Sequence, residues 1–414
     1  MFAPFPDGVT GERRHDPVAS VAVWCHELKL PSLVWLDSAV VGPDACSLVA
    51  ACPDDLQKGN VADWPVFTGA LARFQREHPG GAVVGYIEYD GSFLFGFYPQ
   101  PLIYRHADGR WAFPAGEPAW HREASSGTIA IPTWRTPLEF IFGTPRAEFY
   151  RWVEQAQEHI AAGNIYQVNL AHQARAEWPL NASPFALYLR LRAISPAPQA
   201  AYLALHPDRT ILCSSPEEFL RMQGRRIQTR PIKGTRPRGN SEAADRQSAA
   251  ELLASEKERA ELLMITDLLR NDLGRCCEYG SVATSDLFQI EPFAQVFHLV
   301  STVEGRLRPG ITHAQAVQMC SPGGSITGAP KKRAREIIAS LEAGTRGPYT
   351  GSIGAFLPGE DSQFNIAIRT IIVEDGHAHF HVGAGIVADS DPALEWEETL
   401  HKGAGILRAA GFPD

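Results

Sequence analysis

The sequence predicts an α+β fold in which strands and helices mix without a regular strand–helix–strand alternation. Three observations favour this class. Apolar residues recur at helical spacing over 246–273. Apolar and polar residues alternate over 165–170, as in a half-buried strand. The turn Asp375-Gly376 joins two strand-like segments, 364–374 and 377–387, and therefore predicts a β-hairpin with antiparallel strands.

The N-terminal region is predicted to contain mainly strands and loops, including a strand over 81–89. Proline, glycine and serine then cluster over 114–145, which indicates a connection to a larger C-terminal region. At about 100–200 residues per domain, the length of 414 residues predicts two domains or one unusually large one. With the cluster as the connection, we expect an N-terminal region, 1–130, and a C-terminal domain, 145–412.

The C-terminal domain is predicted to open with a helix. Thr144 is the expected N-cap and Pro145 the first helical residue, and apolar residues recur at helical spacing as far as Gly163. In the alternating strand that follows, Tyr166 is expected to face the core with the other apolar residues. Ser390 is the expected N-cap of a last helix that ends near residue 410.

The composition is that of an ordinary globular protein. Hydrophobic residues make up 44% and charged residues 21%, which excludes a disordered or low-complexity chain. The net charge of −9 argues against broad binding to nucleic acid or anionic lipid. No apolar run reaches the ~18–20 residues that span a bilayer, and Met1 to Ser20 lack the apolar core of a signal peptide. The seven cysteines lack CxxC spacing, so we predict neither a disulfide framework nor a zinc site and expect a cytoplasmic location.

Two glutamate pairs, Glu258/Glu261 and Glu395/Glu398, are spaced i,i+3 on predicted helices. If the four carboxylates converged, they would repel one another unless a hard cation such as Mg²⁺ lay between them. The alternative is two solvated helix faces. In that case Lys402 forms a surface ion pair with Glu398, four residues before it, which stabilises the helix by roughly 0.3–0.5 kcal/mol.

The glycine-rich segment 321–331 precedes a predicted helix. A loop of this kind presents free backbone N–H groups and can bind an anion such as a carboxylate, or it can be a tight turn alone. It is not a Walker-type phosphate loop, because Ala329 and Pro330 follow Gly328 where that motif requires Lys and then Ser or Thr.

Three single residues have both a chemical and a structural interpretation. Lys233 lies among arginines in 229–239. Neighbouring cations favour a neutral, nucleophilic amine there, but the residue can equally be one more surface base. His298 lies in an apolar strand and is either a general acid–base group or a core residue. Arg369 is expected on a strand, as a carboxylate clamp or as half of a buried ion pair.

Together these segments resemble the chorismate-utilising enzymes, the family of anthranilate, aminodeoxychorismate, isochorismate and salicylate synthases. The resemblance is strong over about 145–410 and weak in the N-terminal region, where Trp35–Ser38 and Gly85–Tyr89 carry it. Eight ordered blocks match the family: IYQVNL (165–170), SSPEEFL (214–220), RPIKGTRPRG (230–239), RAELLMITDLLRNDLGR (259–275), HLVSTVEG (298–305), PGGSITGAPK (322–331), IRT (368–370) and GAGIVADSDPALEWEETLHK (383–402).

The resemblance implies a sandwich of two large β-sheets with helices on the outside. It also implies Mg²⁺ bound by Glu261 and Glu398, with Glu258 and Glu395 supporting it directly or through water. Glu217 would be the general acid that protonates the departing 4-hydroxyl of chorismate.

The resemblance further implies two sets of substrate contacts. The ring carboxylate of chorismate would be held by Mg²⁺ and by Lys402, Gly383, Ala384 and Gly385. The enolpyruvyl carboxylate would be held by Tyr349, Arg369, Thr327 and Gly328.

Two positions differ between branches of the family. Aminodeoxychorismate synthases carry PIKGT where anthranilate and isochorismate synthases usually carry PIAGT, and this chain has Lys233 there. Isochorismate and salicylate synthases have a lysine that activates water where this chain has Gln167. Both positions imply ammonia as the final nucleophile and amination at ring carbon 4 through a covalent bond to Lys233. Thr235 and His298 complete the expected catalytic set, although His298 occurs in both amination branches and does not decide the product.

The resemblance implies chorismate and ammonia as substrates and a separate glutaminase subunit as partner. None of the seven cysteines lies in the glycine-rich elbow of an amidotransferase, and no fused lyase is expected. The 4-amino product would lead to p-aminobenzoate and folate. The alternatives are amination at carbon 2 with loss of pyruvate, as in anthranilate synthases, and a chorismate-binding subunit without activity.

Overall fold

The structure is a computed structural model that describes residues 5–6, 13–14, 16–38, 45–124, 131–292 and 296–411. Part of the predicted connection, 125–130, lies outside these residues. The helices in the described part are α1 Pro17–Glu27, α2 Trp64–Glu77, α3 Ala119–Ala124, α4 Arg146–Ala161, α5 Pro184–Ile194, α6 Glu242–Ala254, α7 Glu256–Gly274, α8 His313–Cys320, α9 Lys331–Leu341 and α10 Pro392–Ala409.

All strands of more than six residues in the described part lie in the C-terminal region. The first twelve are β1 Phe5–Pro6, β2 Arg13–Arg14, β3 Val34–Asp37, β4 Cys46–Ala50, β5 Asp55–Gly59, β6 Ala82–Ile87, β7 Phe93–Tyr98, β8 Leu102–Arg105, β9 Arg110–Ala112, β10 Ile141–Phe142, β11 Gln167–Glu177 and β12 Gln199–His206. The others are β13 Arg209–Ser215, β14 Glu218–Gln223, β15 Arg226–Arg230, β16 Ile232–Pro237, β17 Ala283–Pro292, β18 Val296–Arg306, β19 Gly328–Ala329, β20 Ser352–Leu357, β21 Asp361–Ile366, β22 Thr370–Glu374 and β23 His377–Ile386.

Two large antiparallel sheets dominate the described residues. Sheet I has 11 strands in the order β10-β11-β23-β22-β13-β12-β3-β4-β8-β9, with β19 paired to β11. Sheet II has 10 strands in the order β16-β18-β15-β14-β21-β20-β6-β7-β5, with β17 paired to β18. Strands of the N-terminal region therefore extend both sheets.

The sheets face each other across an apolar layer in which Val34 and Ile211 of sheet I pack with Val84 and Ile353 of sheet II. On the outside of sheet I lie α1, α5 and α10, and on the outside of sheet II lie α2 and α8. The predicted α+β sandwich with external helices is thus confirmed. None of the helices in the described part of the chain combines the length and apolar character of a membrane span.

The predicted turn at Asp375-Gly376 is confirmed, with φ of 49° and 73°, but the first strand of the hairpin is shorter than predicted. Strand β21 ends at Ile366 in sheet II, and β22 begins at Thr370 in sheet I. Arg369 therefore lies in the link between the sheets, with φ of 51°, and its predicted place on a strand was wrong. The sequence pattern does not show this crossing, because the residues before it in sheet II and after it in sheet I are mostly apolar and buried.

The prediction for 165–170 was also wrong in detail. The strand begins at Gln167, Tyr166 is 70% exposed, and both Gln167 and Asn169 are buried. The reason is that β11 is covered on both faces: Val168 and Leu170 pack under α4 and α9, whereas the amide side chains face the other way.

Three predicted helix boundaries need correction. The single helix over 246–273 is two helices, because Ser255 adopts an extended conformation and its hydroxyl accepts from the Glu258 N–H as the N-cap of α7. Helix α4 has Pro145 as its N-cap in place of Thr144, without a side-chain cap bond. The N-cap of α10 is Asp391, because its carboxylate accepts from two backbone N–H groups, and Ser390 bonds elsewhere.

Candidate active site

A cavity of about 910 Å³ opens where β16, α7, α10, the segment 321–331 and the link around Arg369 meet. Most residues that the sequence analysis singled out line it: Glu217, Lys233, Thr235, Glu258, Glu261, His298, Tyr349, Arg369, Gly383, Glu398 and Lys402. In the described structure the other predicted residues are not part of this lining: Gln167, Thr327, Gly328, Ala384, Gly385 and Glu395. Fragments from both sheets therefore meet at one site.

Lys233 lies on β16, next to a register shift at Gly234, whose φ is 67°. Its amine approaches sheet I: a Cβ built on Gly385 would lie 3.9 Å from Lys233 Nζ and 2.7 Å from Gln167 Nε2. The absence of a side chain at Gly385 thus leaves room for the amine and the amide to lie close together. Neither sequence motif alone could show that Lys233 and Gln167 are neighbours.

His298, on β18, lies beside Thr235, with 3.0 Å between His298 Nδ1 and Thr235 Oγ1. Burial, together with the positive charge of Arg369, lowers the pKa of His298 to about 4, although a backbone hydrogen bond with Gly234 acts in the opposite direction. The imidazole is therefore neutral at pH 7 and available as a proton acceptor.

Glu217 lies in the link before β14 and is only 8% exposed. Ser325 Oγ donates to Glu217 Oε1 at 2.7 Å. Burial raises the pKa of Glu217 even though this bond and the charges of Lys233, Lys402 and Arg369 oppose the rise. A carboxyl group that retains its proton can serve as a general acid.

Glu258, Glu261 and Glu398 line the cavity, and the first and last are close enough to act electrostatically on Glu261. Burial raises the pKa of Glu261, and the negative charges of Glu258 and Glu398 raise it further, against the effect of Lys233. In Glu398 burial is outweighed by Lys402, whose Nζ donates to its carboxylate at 2.7 Å, so the pKa of Glu398 is lowered.

Lys402 Nζ also donates to the carbonyl oxygen of Gly383 at 2.9 Å, which ties α10 to β23. Glu395 is buried and accepts from Ser390 Oγ at 2.7 Å, and burial raises its pKa. Within the described residues no group of three or more His, Cys, Asp or Glu side chains is arranged to hold a metal ion. Three carboxylates on one cavity wall nevertheless provide the oxygen donors that Mg²⁺ prefers.

The glycine-rich segment contributes Ser325 and Ile326 to the cavity wall. Thr327 is buried, and its hydroxyl donates to Gly323 O at 3.0 Å. Gly328 pairs with Val168 in the short β19–β11 ladder. The substrate contacts expected of Thr327 and Gly328 remain predictions.

Sequence reasoning missed several polar residues of the wall, among them Asn169, Ser325 and His381. Asn169 and Ser325 lie inside blocks that match the family, so each could have been proposed as a site residue because it is a polar residue within such a block. His381 stacks on Tyr349 with ring centroids 5.1 Å apart, and burial lowers the pKa of His381 to about 3. Among the described residues, the side-chain oxygens of Gln167 and Asn169 have no hydrogen-bond partner.

The chain is similar to curated proteins that bear two different names. It is 48% identical over 263 residues to anthranilate synthase component 1 of Streptomyces coelicolor, with 64% of this chain and 51% of the relative covered. It is 45% identical over 270 residues to aminodeoxychorismate synthase component 1 of Bacillus subtilis, with 65% and 57% covered. The chain thus spans little more than half the length of these relatives.

Solved structures share the fold. Anthranilate synthase component I of Streptococcus pneumoniae superposes with a TM-score of 0.75 at 27% identity, covering 89% of this chain and 93% of that one. The menaquinone-specific isochorismate synthase of Escherichia coli gives 0.74 at 18% identity, covering 98% and 93%, and shows the fold alone. The family model described as chorismate binding enzyme matches residues 34–408, and this chain therefore belongs to the chorismate-binding enzymes.

Proposed function

We propose that this protein aminates chorismate at ring carbon 4 to give 4-amino-4-deoxychorismate, the reaction of an aminodeoxychorismate synthase component I. The observation that carries the proposal is the amine of Lys233 on the cavity wall, close to Gln167 across Gly385. Relatives with either amination name are similarly identical to the chain, so the comparisons leave the product open. We therefore choose between the two reactions by the residue at position 233, which is a lysine in this chain.

In the proposed reaction Lys233 attacks ring carbon 2. The new C–N bond forms, the ring double bond shifts, and the C4–O bond breaks as Glu217 protonates the hydroxyl, so that water leaves. Ammonia then attacks carbon 4, the double bond shifts back, and the lysine nitrogen leaves as a neutral amine. The proton lost by the incoming nitrogen returns to the Glu217 carboxylate, which restores the acid.

The remaining charged groups would bind the substrate. Arg369 is close enough to Glu217 for the two side chains to interact electrostatically, and with Tyr349 it would hold the enolpyruvyl carboxylate. Lys402 and the backbone of Gly383 would hold the ring carboxylate. Each of these groups lines the cavity, which is large enough for a ligand of this size.

Mg²⁺ is part of this proposal. The carboxylates of Glu258, Glu261 and Glu398 are oxygen donors. Burial raises the pKa of Glu261 most, and repulsion from the other two carboxylates raises it further. A divalent cation would relieve that repulsion. When bound, the ion would neutralise and orient the ring carboxylate of chorismate. Glu395, held by Ser390, would support the set from behind.

We further propose that ammonia comes from a separate glutaminase subunit and that the product serves p-aminobenzoate and folate synthesis. The names of two relatives end in "component 1", which fits an enzyme that works with a second component.

The product assay tests the proposal directly. Purified protein would receive chorismate, Mg²⁺ and an ammonium salt at mildly alkaline pH, and mass spectrometry would identify the product with and without an added aminodeoxychorismate lyase. We expect a product that retains the enolpyruvyl group and yields p-aminobenzoate once the lyase is present. Anthranilate with free pyruvate would contradict the proposal.

The second candidate is the anthranilate synthase reaction. One observation favours it: the 48% identity to the Streptomyces coelicolor enzyme, slightly above the 45% identity to the Bacillus subtilis one. The same product assay separates the two reactions.

A further inference from the structure

Arg346 is the centre of a set of polar contacts directly behind the cavity wall. It lies in the link between α9 and β20 and is 4% exposed. Its Nε and Nη2 donate to the Glu342 carboxylate at 2.8 and 2.5 Å. Its Nη groups also donate to Ile326 O at 3.1 Å, Thr350 Oγ1 at 3.2 Å and Asn169 O at 2.8 Å. A guanidinium has five N–H groups, so these bonds use its whole donor set.

The acceptors belong to three separate segments of the cavity wall. Asn169 lies on β11, Ile326 lies in the glycine-rich segment, and Thr350 follows Tyr349. Asn169, Ile326 and Tyr349 line the cavity, whereas Arg346 is absent from the wall that the described residues form. Arg346 therefore acts on the cavity through the residues that it holds.

Glu342 extends the same contact set. Its Oε1, which accepts from Arg346, also accepts from the Ala171 N–H at 2.8 Å. The ion pair thus contacts β11 twice, once through Ala171 and once through Asn169. The Arg346 guanidinium also lies over the ring of Tyr89, 4.7 Å from its centroid, so the pair is enclosed from the side of sheet II as well.

Thr350 indicates what the contact accomplishes. Its φ of 60° lies in the left-handed region, which a β-branched residue rarely adopts. Such a conformation is strained and persists only where neighbours fix it. Here Arg346 donates to Thr350 Oγ1, this hydroxyl donates to Tyr349 O at 2.6 Å, and the Thr350 N–H donates to Ala367 O at 2.8 Å. The strained turn sets the direction of Tyr349.

We propose that Arg346 is a positioning residue for chorismate: it orients Tyr349 through Thr350 and fixes β11 and the glycine-rich segment around the substrate. The inference rests on the proposed function only in taking chorismate as the ligand. Lysine is a poor replacement, because it offers three donors from a single point and cannot reach acceptors in several directions.

The test is chorismate binding, measured by calorimetry in the presence of Mg²⁺. Arg346→Gln should weaken chorismate binding by about tenfold or more, since residues in one contact network couple strongly. On a Tyr349→Ala background the same substitution should weaken binding by a clearly smaller factor, because the part of its effect that passes through Tyr349 is already lost and only the part through β11 and the glycine-rich segment remains. A purely structural arginine would leave the affinity of the folded protein unchanged on either background.

Arg192→Gln is the matched control. Arg192 is a second well-buried arginine, bonded to the buried Asp37 and lying over the Trp35 ring, and none of these partners lines the cavity. Both variants should lower the melting temperature, but only Arg346→Gln should change the chorismate affinity. If folded Arg346→Gln binds chorismate within about twofold of wild type, as is normal for independent sites, the proposal is overturned.

Thr350 provides a second test if Arg346→Gln does not fold. Thr350→Val removes the hydroxyl at constant shape and should weaken chorismate binding about fivefold, whereas Thr350→Ser keeps the hydroxyl and should retain more affinity. Equal affinities of these two variants would overturn the proposal. A product other than the 4-amino compound would refute the proposed function, but the binding measurements would be unaffected, so the two failures are distinguishable.

Discussion

Ser325 and Glu217 are 108 residues apart in sequence and are joined by a buried 2.7 Å hydrogen bond from Ser325 Oγ to Glu217 Oε1. The bond connects the glycine-rich segment with the link that precedes β14. Burial raises the pKa of Glu217, and the Ser325 hydroxyl is the strongest of the groups that oppose this rise. Ser325 therefore helps to set how readily the proposed acid releases its proton.

Ser325→Ala should raise the pKa of Glu217 further, since the carboxylate form loses a donor. The acid then stays protonated to higher pH but is a weaker proton donor. We expect kcat to fall about tenfold, because a hydrogen bond to a charged group contributes about 1.5–3 kcal/mol. The alkaline limb of the kcat profile should move to higher pH, as initial rates at saturating chorismate would show.

Ser340→Ala is the control, because this hydroxyl donates to Ile337 O within α9 and lies away from the cavity. It should leave the pH profile in place. An alkaline limb that does not move in Ser325→Ala would mean that Ser325 does not act on the catalytic acid.

Lys233→Ala should decrease formation of the 4-amino product by roughly three orders of magnitude or more, since removal of a catalytic nucleophile can cost up to about 10⁶-fold. Chorismate binding should persist, because the carboxylate contacts are intact. Mass spectrometry of ammonium-dependent reactions would measure the product, and the exposed Lys58→Ala is the control. Full ammonia-dependent formation of the 4-amino product by Lys233→Ala would exclude the covalent mechanism.

The sequence predicted those site residues that belong to local motifs. Glu217, Lys233 and Glu398 each lie in a block that resembles the family, and the structure places all three on one cavity wall. The contacts between blocks could not be predicted, because they depend on the packing of the sheets. The bond between Ser325 and Glu217 and the approach of Lys233 to Gly385 are of this kind.

Burial on two faces caused the main errors in the fold prediction. Alternation predicts one buried face, yet β11 buries Gln167 and Asn169 on the side of the cavity as well as its apolar residues. An apolar run likewise does not show where a chain leaves one buried sheet for another. Arg369, with its left-handed backbone at that crossing, therefore seemed to lie on a strand.

Gly385→Ala should impair catalysis while the protein stays folded. Its Cβ would lie 2.7 Å from Gln167 Nε2, so the amide must move, and the new methyl group would lie 3.9 Å from Lys233 Nζ. We expect kcat/KM to fall by about 10–100-fold, because small misplacements of reacting groups have effects of this size. Steady-state kinetics with varied ammonium would measure the loss.

Gly274→Ala, in α7, is the matched control for that substitution. A Cβ there meets no atom of the described residues within 4 Å. It should leave kcat/KM unchanged and stabilise the protein by about 0.4–1 kcal/mol. Wild-type kinetics in Gly385→Ala would show that the space beside Lys233 is not needed.

Mg²⁺ should raise the melting temperature, since an ion that binds only the folded state stabilises it, by about 2.7 kcal/mol at 100 times the dissociation constant. Burial and neighbouring carboxylates raise the pKa of Glu261, so protons compete with the ion and the stabilisation should increase with pH. Glu261→Gln should remove most of it. Thermal unfolding with and without Mg²⁺ would measure this, and the exposed Glu256→Gln should behave as wild type. A melting temperature that does not change with Mg²⁺ at any pH tested would exclude the proposed ion site.

His172 should make the protein sensitive to acid. It lies on β11, is 2% exposed and stacks on Trp396 with ring centroids 4.7 Å apart. Thr399 Oγ1 donates to Trp396 O, so it accepts from His172 Nε2 at 2.8 Å, and the ring is neutral with its proton on Nε2. Burial lowers the pKa of His172 to about 4.

Because the folded pKa of His172 is below the unfolded value of about 6.5, its contribution to stability is complete above pH 6.5 and is lost as the pH falls towards 4. His172→Gln, which keeps a donor for Thr399, should therefore lose about 2 kcal/mol less unfolding free energy than wild type between pH 7 and pH 4.5. Urea unfolding at both pH values would measure the difference, with the exposed His206→Gln as control. If wild type and His172→Gln lost stability in parallel, the prediction would be wrong. The imidazole would then be protonated in the folded protein at pH 4.5, contrary to the neutral ring inferred from the stacking on Trp396 and the bond to Thr399.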